Sequence, residues 1–131
     1  MREHSRSNTQ DADAINDRRF NQLDDLNQNI DWDELVDTIF PYYVKSNTQT
    51  MPLTVESMLR TYILVRHFKL TPSQIVKALS QKQVLRDFVL MDDARDDIPS
   101  ADSITEFSSV LFEESLMKKI ETALNSHTMN Q

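Results

Sequence analysis

The chain of 131 residues contains no cysteine and no glycine. The first absence excludes disulfides, a thiol nucleophile and any thiolate metal site. The second excludes the glycine-rich loops that cradle phosphates, because those loops need backbone that only glycine supplies. It also excludes a nucleophile elbow of the G-x-S-x-G kind and disfavours tight primed hairpin turns. Long apolar runs are missing too. No stretch approaches the roughly 20 residues that span a bilayer. The opening segment MREHSRSNTQDADAIND is polar and lacks the apolar core of a signal peptide. Cytoplasm is therefore the expected location, with no membrane partner.

What remains is rich in Leu, Gln, Lys, Glu and Asp, a composition that favours helix. Hydrophobic residues make up 39% and charged residues 27% of the chain, which fits one soluble domain with one core. The expected fold is all-α: a small multi-helix domain with a flexible N-terminal arm.

Net charge is −7, which taken whole disfavours nucleic acid as a partner. The charge is unevenly spread. Residues 1–51 carry 5 basic and 10 acidic side chains, and residues 91–131 carry 3 and 9. Residues 52–90 carry 6 basic residues (Arg60, Arg66, Lys69, Lys77, Lys82, Arg86) against Glu56 and Asp87. A basic middle is thus flanked by acidic ends.

Residues 1–28 hold too little apolar area to offset ordering entropy and read as a polar arm, although Phe20, Leu23 and Leu26 have helical spacing. The helical domain is expected over 29–127, with 128–131 frayed. Ile30, Leu35, Ile39 and Tyr43, with Trp32 and Val36, form one stripe behind an Asp31 cap, and Pro41 should end or kink that helix. Trp32 and the Tyr42-Tyr43 pair read as core anchors. Residues 45–53 form a polar connector. Thr54 caps a helix running to Phe68 whose apolar residues surround its circumference, so it should be central, with Arg60 and Arg66 keeping their heads at its edge. Thr71-Pro72 starts a short helix, 72–80, and a turn near Ser80-Gln81 leads to another, about 82–89. Two short helices joined by a brief turn make a helix-turn-helix-like pair. An acidic loop, 91–98, precedes the Ser100 and Asp102 start signals and the stripe Ile104, Phe107, Val110, Leu111. Leu116, Ile120, Ala123 and Leu124 continue the pattern.

No catalytic constellation is legible. Asp92, Asp93, Asp96 and Asp97 cluster in one loop, but a calcium loop would need alternating ligands, a glycine and a terminal Glu. His4, His67 and His127 are far apart in sequence. Neither metal, cofactor nor small-molecule substrate is expected, and the chain reads as a non-enzyme. The functional hint is the basic middle, since DNA affinity comes largely from Lys and Arg on phosphates. Lys77, Lys82 and Arg86 near the helix pair are the first DNA-binding candidates, with Arg60, Arg66 and Lys69 as supporting phosphate contacts. Arg60 has an alternative role, paired with a carboxylate such as Asp87.

The run Met58-Leu59-Arg60-Thr61-Tyr62-Ile63-Leu64, then Phe68-Lys69-Leu70-Thr71, Ala78-Leu79 and Leu85-Arg86-Asp87-Phe88, resembles the N-terminal domain of bacterial insertion-sequence transposases of the IS-five group. Ile30-Asp31-Trp32, Pro41-Tyr42-Tyr43 and Met51-Pro52-Leu53 look like its opening, and Ile98-Pro99, Ile104, Phe107 and Leu124-Asn125-Ser126-His127 like its end. The resemblance spans about residues 30–127. It implies a non-catalytic helical domain that binds the element's terminal DNA repeats and helps the transposase self-associate. The family's metal-dependent nuclease, with an Asp-Asp-Glu triad, begins after the matching segment, so the chain is expected to be a truncated or repurposed transposase fragment lacking the catalytic domain, and no catalytic residue carries over. Two departures stand out. The family's Thr-Thr and Phe-Arg are Asp102-Ser103 and Phe107-Ser108 here, losing a basic residue and gaining an acidic one. A family glycine is replaced near Met117, so the last two helices are expected to fuse.

The acidic flanks support a different class of function: a helical protein-interaction module that has lost DNA binding and pairs with a second copy or with a transposase. Binding to double-stranded DNA, with its salt dependence, discriminates the two.

Overall fold

The computed structural model describes residues 21–45, 54–91 and 98–129. Residues 1–20 of the arm, the connector 46–53, Asp92, Asp93, Asp96, Asp97 and residues 130–131 lie outside the described residues, as does His4. The described residues form seven α-helices and no strand. They are α1 (Asn21–Asn29), α2 (Trp32–Lys45), α3 (Val55–Phe68), α4 (Pro72–Gln81), α5 (Gln83–Phe88), α6 (Ala101–Glu113) and α7 (Met117–Met129).

The all-round apolar pattern of α3 makes it the axis of the core. Only Glu56, Arg66 and His67 along its length escape full burial. Helices α2, α4, α6 and α7 pack around it, α1 lies on α7, and α4 also packs on α5 and α6. Ile63, Leu64, Ile75, Leu79, Leu85, Ile104 and Phe107 are among its innermost residues. Each such side chain contributes about 1.5–3 kcal/mol through removal of apolar surface from water. Phe107 is met edge-on by Tyr43 and Tyr62, both at 6.0 Å between ring centroids, which ties α2 and α3 to α6.

The polar arm expected through residue 28 is shorter than its composition suggests. Residues 21–29 form α1, because Leu23 and Leu26 (0% exposed) reach the core one turn apart. Polar contacts hold this helix: the Trp32 indole donates to the Asn27 carbonyl at 3.1 Å, Arg60 donates to Asn27 Oδ1, and Gln22 bonds His67 at 2.7 Å. Asp31 accepts from the Glu34 N–H at 3.1 Å, so it starts α2 as its sequence position predicts. Pro41 does not end α2, which continues to Lys45. Burial of Tyr43 against Phe107 holds the last turn in place despite the missing proline N–H.

Thr54 accepts from the Ser57 N–H and Ser100 from the Ser103 N–H, capping α3 and α6. Thr71 and Gln74 form a reciprocal capping box at α4, with Pro72 behind it. The opposite ends show how helices stop without glycine. Lys69 (φ 58°), Leu90 (φ 65°) and Ser115 (φ 61°) are left-handed. In each case the next residue closes a six-residue hydrogen-bonded turn: Leu70 N–H to Val65 at 2.9 Å, Met91 to Arg86 at 3.0 Å, Leu116 to Leu111 at 2.8 Å. Leu70, Met91 and Leu116 are all buried. Their burial stabilises a backbone conformation that costs a side-chain-bearing residue about 1–2 kcal/mol. The same motif separates α6 from α7 at Ser115, so the expected fusion of the last two helices does not occur.

Candidate nucleic-acid interface

The six basic residues of the middle segment fall into two groups. Arg60 and Arg86 are buried, 7% and 3% exposed. The Arg60 guanidinium does not reach the edge of α3. It is enclosed where α1, α3 and α5 meet. Its Nε donates to Glu56 at 3.0 Å, and its Nη1 donates to Asn27 Oδ1 at 3.0 Å and to the Phe88 carbonyl at 3.1 Å. It stacks 4.2 Å from the Trp32 ring and 5.3 Å from Phe88. The carboxylate it pairs with is Glu56, one turn back, and not Asp87, which accepts from Gln83 at 2.9 Å. Arg86 donates to the Leu79 carbonyl at 2.6 Å and to Gln83 at 2.9 Å, joining α5 to the end of α4. Both cations satisfy backbone carbonyls at helix ends, which is why folding draws them inward.

The remaining four stay at the surface. Lys77 is exposed on α4. Lys82 is half-buried and serves as the whole junction between α4 and α5, an extended residue at φ −125°, ψ 110°. The helix pair is thus joined more tightly than the turn expected near Ser80-Gln81. Its second helix has six residues and leaves Gln83, Val84 and Asp87 outward. Arg66 and Lys69 come together at the end of α3. They line one cleft of about 430 Å³ with Tyr62, Thr105 and Ser108. Arg66 also bonds Glu121 of α7 at 3.0 Å.

Sequence reading picked out neither Thr105, Ser108, Lys118 nor Lys119 as site residues. The first two enter only because α6 packs beside α3, although Ser108 stands where the resemblance places a basic residue. Lys118 and Lys119 are exposed on α7 and face Asp31 and Glu34 across another cleft.

Among the described residues no group of three or more His, Asp or Glu is placed to hold a metal ion. No helix there is long and apolar enough to cross a membrane. The described residues define an all-helical domain with its surface cations on α3, α4, α7 and the α4–α5 junction. The chain belongs to the transposase domain family DUF772, whose model matches residues 10–109. No curated protein and no solved structure matches it.

Proposed function

We propose that this domain is a non-catalytic DNA-binding domain resembling the N-terminal part of an insertion-sequence transposase of the IS-five group, a truncated or repurposed fragment without the family's Asp-Asp-Glu nuclease. It engages the terminal repeats of the element. The observation that carries the reading is the family match, which covers the whole basic middle of the chain. Four of that segment's six cations, Arg66, Lys69, Lys77 and Lys82, stay at least partly exposed. Arg60 and Arg86 support the interface by holding α3, α4 and α5 in place.

The test is fluorescence anisotropy with a labelled duplex of about 30 base pairs, three helical turns. Binding on the order of micromolar at low salt, falling steeply as salt rises, is expected. Replacing Lys77 and Lys82 together by Gln should lower the salt slope by about 2, one per lost phosphate contact. An unchanged slope removes that pair from the interface, and no binding at low salt rejects the DNA reading.

A second reading, a helical protein-interaction module, draws on the acidic flanks of the chain and on Phe112, 74% exposed on α6. Size-exclusion chromatography of wild type and Phe112→Ser decides it. A higher-order species lost in the variant would support self-association.

A further inference from the structure

Three clefts described here differ in their charged residues. One, between α1, α2 and α7, is lined by Asp31 and Glu34 as well as Lys118 and Lys119. A second, where α1 meets α5, is lined by Asp24 and Asp87 beside Arg60. The cleft between α3, α4 and α6 has no carboxylate in its lining. Its walls carry Arg66, Lys69 and the hydroxyls of Tyr62, Thr105 and Ser108, over a floor that includes Val65 and Ile104. Tyr62 and Ser108 share a hydrogen bond at 3.3 Å. The Tyr62 hydroxyl is also engaged by Met117 Sδ at 3.6 Å, which leaves two cations and the Thr105 and Ser108 hydroxyls, with no carboxylate in the wall, as a surface suited to a phosphate oxygen. The cation on one side is already engaged. Arg66 Nη2 lies 3.0 Å from Glu121 Oε2, and the two side chains are 37% and 56% exposed. An ion pair this open is worth little in water, so a phosphate can displace it.

We propose that this cleft seats one phosphate of a nucleic-acid backbone, and that Glu121 is an internal stand-in for that phosphate which must release Arg66 when DNA binds. The assignment rests on the DNA-binding reading above and adds a site and a built-in competitor to it. The chain's acidity then acts locally. A single carboxylate on α7 sets the affinity of the cation on α3.

The experiment uses the full chain in the same duplex titration, with Glu121→Gln, and Arg66→Gln combined with Lys69→Gln. Glu121→Gln should bind about two- to fivefold tighter at low salt, the equivalent of one exposed ion pair. The double variant should weaken binding and lower the salt slope by about 1, for the single phosphate lost. Circular dichroism checks that both variants fold. If DNA binds wild type but neither variant changes affinity or slope, the cleft assignment falls while the DNA reading stands. If wild type and Glu121→Gln bind no DNA, inorganic phosphate is titrated into ¹⁵N-labelled Glu121→Gln. Saturable shifts at the Lys69, Thr105 and Ser108 amides would show a phosphate site serving something other than DNA. Absence of shifts in that arm overturns the proposal altogether.

Discussion

Replacing Arg60 by Ala should destabilise this domain, because its role is structural. The guanidinium makes three hydrogen bonds across α1, α3 and α5 and lies over Trp32. A hydrogen bond involving a charged group contributes about 1.5–3 kcal/mol and a desolvated cation–π contact up to about 2. These do not add in full. Glu56 is 33% exposed and recovers water when its partner leaves, and the freed arginine entropy offsets up to about 2 kcal/mol. The net loss is about 3 kcal/mol, chiefly from the buried Phe88 carbonyl left without a donor and the lost contact over Trp32. For a domain of this size that is a fall of roughly 10 °C in Tm. Arg60→Lys keeps the charge but loses the planar fork, and should cost about 2 kcal/mol. Trp32 is the sole tryptophan, so its fluorescence in urea follows the perturbed region directly, with circular dichroism at 222 nm for the whole helix content. A double-mutant cycle with Asn27→Ala should show coupling above about 0.5 kcal/mol. A loss below about 1 kcal/mol for Arg60→Ala would refute the reasoning. Arg60 would then return to the phosphate contacts its charge first suggested.

Three further outcomes follow from the same packing. Thr71→Ala breaks the capping box of α4 and should cost about 1 kcal/mol in a urea titration. Ser115→Gly places a residue without Cβ at φ 61° and should stabilise by about 0.5 kcal/mol or more, whereas the same change in mid-helix, at exposed Ser109 of α6, should destabilise. Burial raises the Tyr43 phenol above its ordinary value of 10.0. A raised folded-state value means its contribution is intact below pH 10 and is lost as pH climbs beyond it, so the urea midpoint should decline on the alkaline side. Tyr43→Phe should remove part of that decline.

Helix starts were legible because they depend on nearby residues. Thr54, Thr71-Pro72 and Ser100 each satisfy backbone donors within their own first turn. The features that escaped depend on distant partners. The spacing of Leu23 and Leu26 allowed a short helix, but nothing local tells that they find a core, so polar composition left α1 reading as part of the arm. Pro41 carries a local stop signal that the packing of Tyr43 on distant Phe107 overrides. The surface role expected of Arg60 and Arg86 failed at burial for the same reason: their partners, Asn27, Phe88 and Leu79, are 33, 28 and 7 residues away. The cleft joins Arg66 and Lys69 to Thr105 and Ser108 only through the packing of α3 on α6, which no spacing rule predicts.

The glycine-free helix ends also bear on how the chain folds. A glycine stop is a local property and works in a peptide. The stops at Lys69, Leu90 and Ser115 hold only while Leu70, Met91 and Leu116 are sheltered from water. Before collapse there is little to halt α3 or α6 at its proper residue, and transient helices in the denatured ensemble can overrun their native boundaries. Boundary choice and core formation are then one event. The domain should melt as a unit, with the amides of the three turns exchanging alongside those of α3 rather than fraying ahead of it.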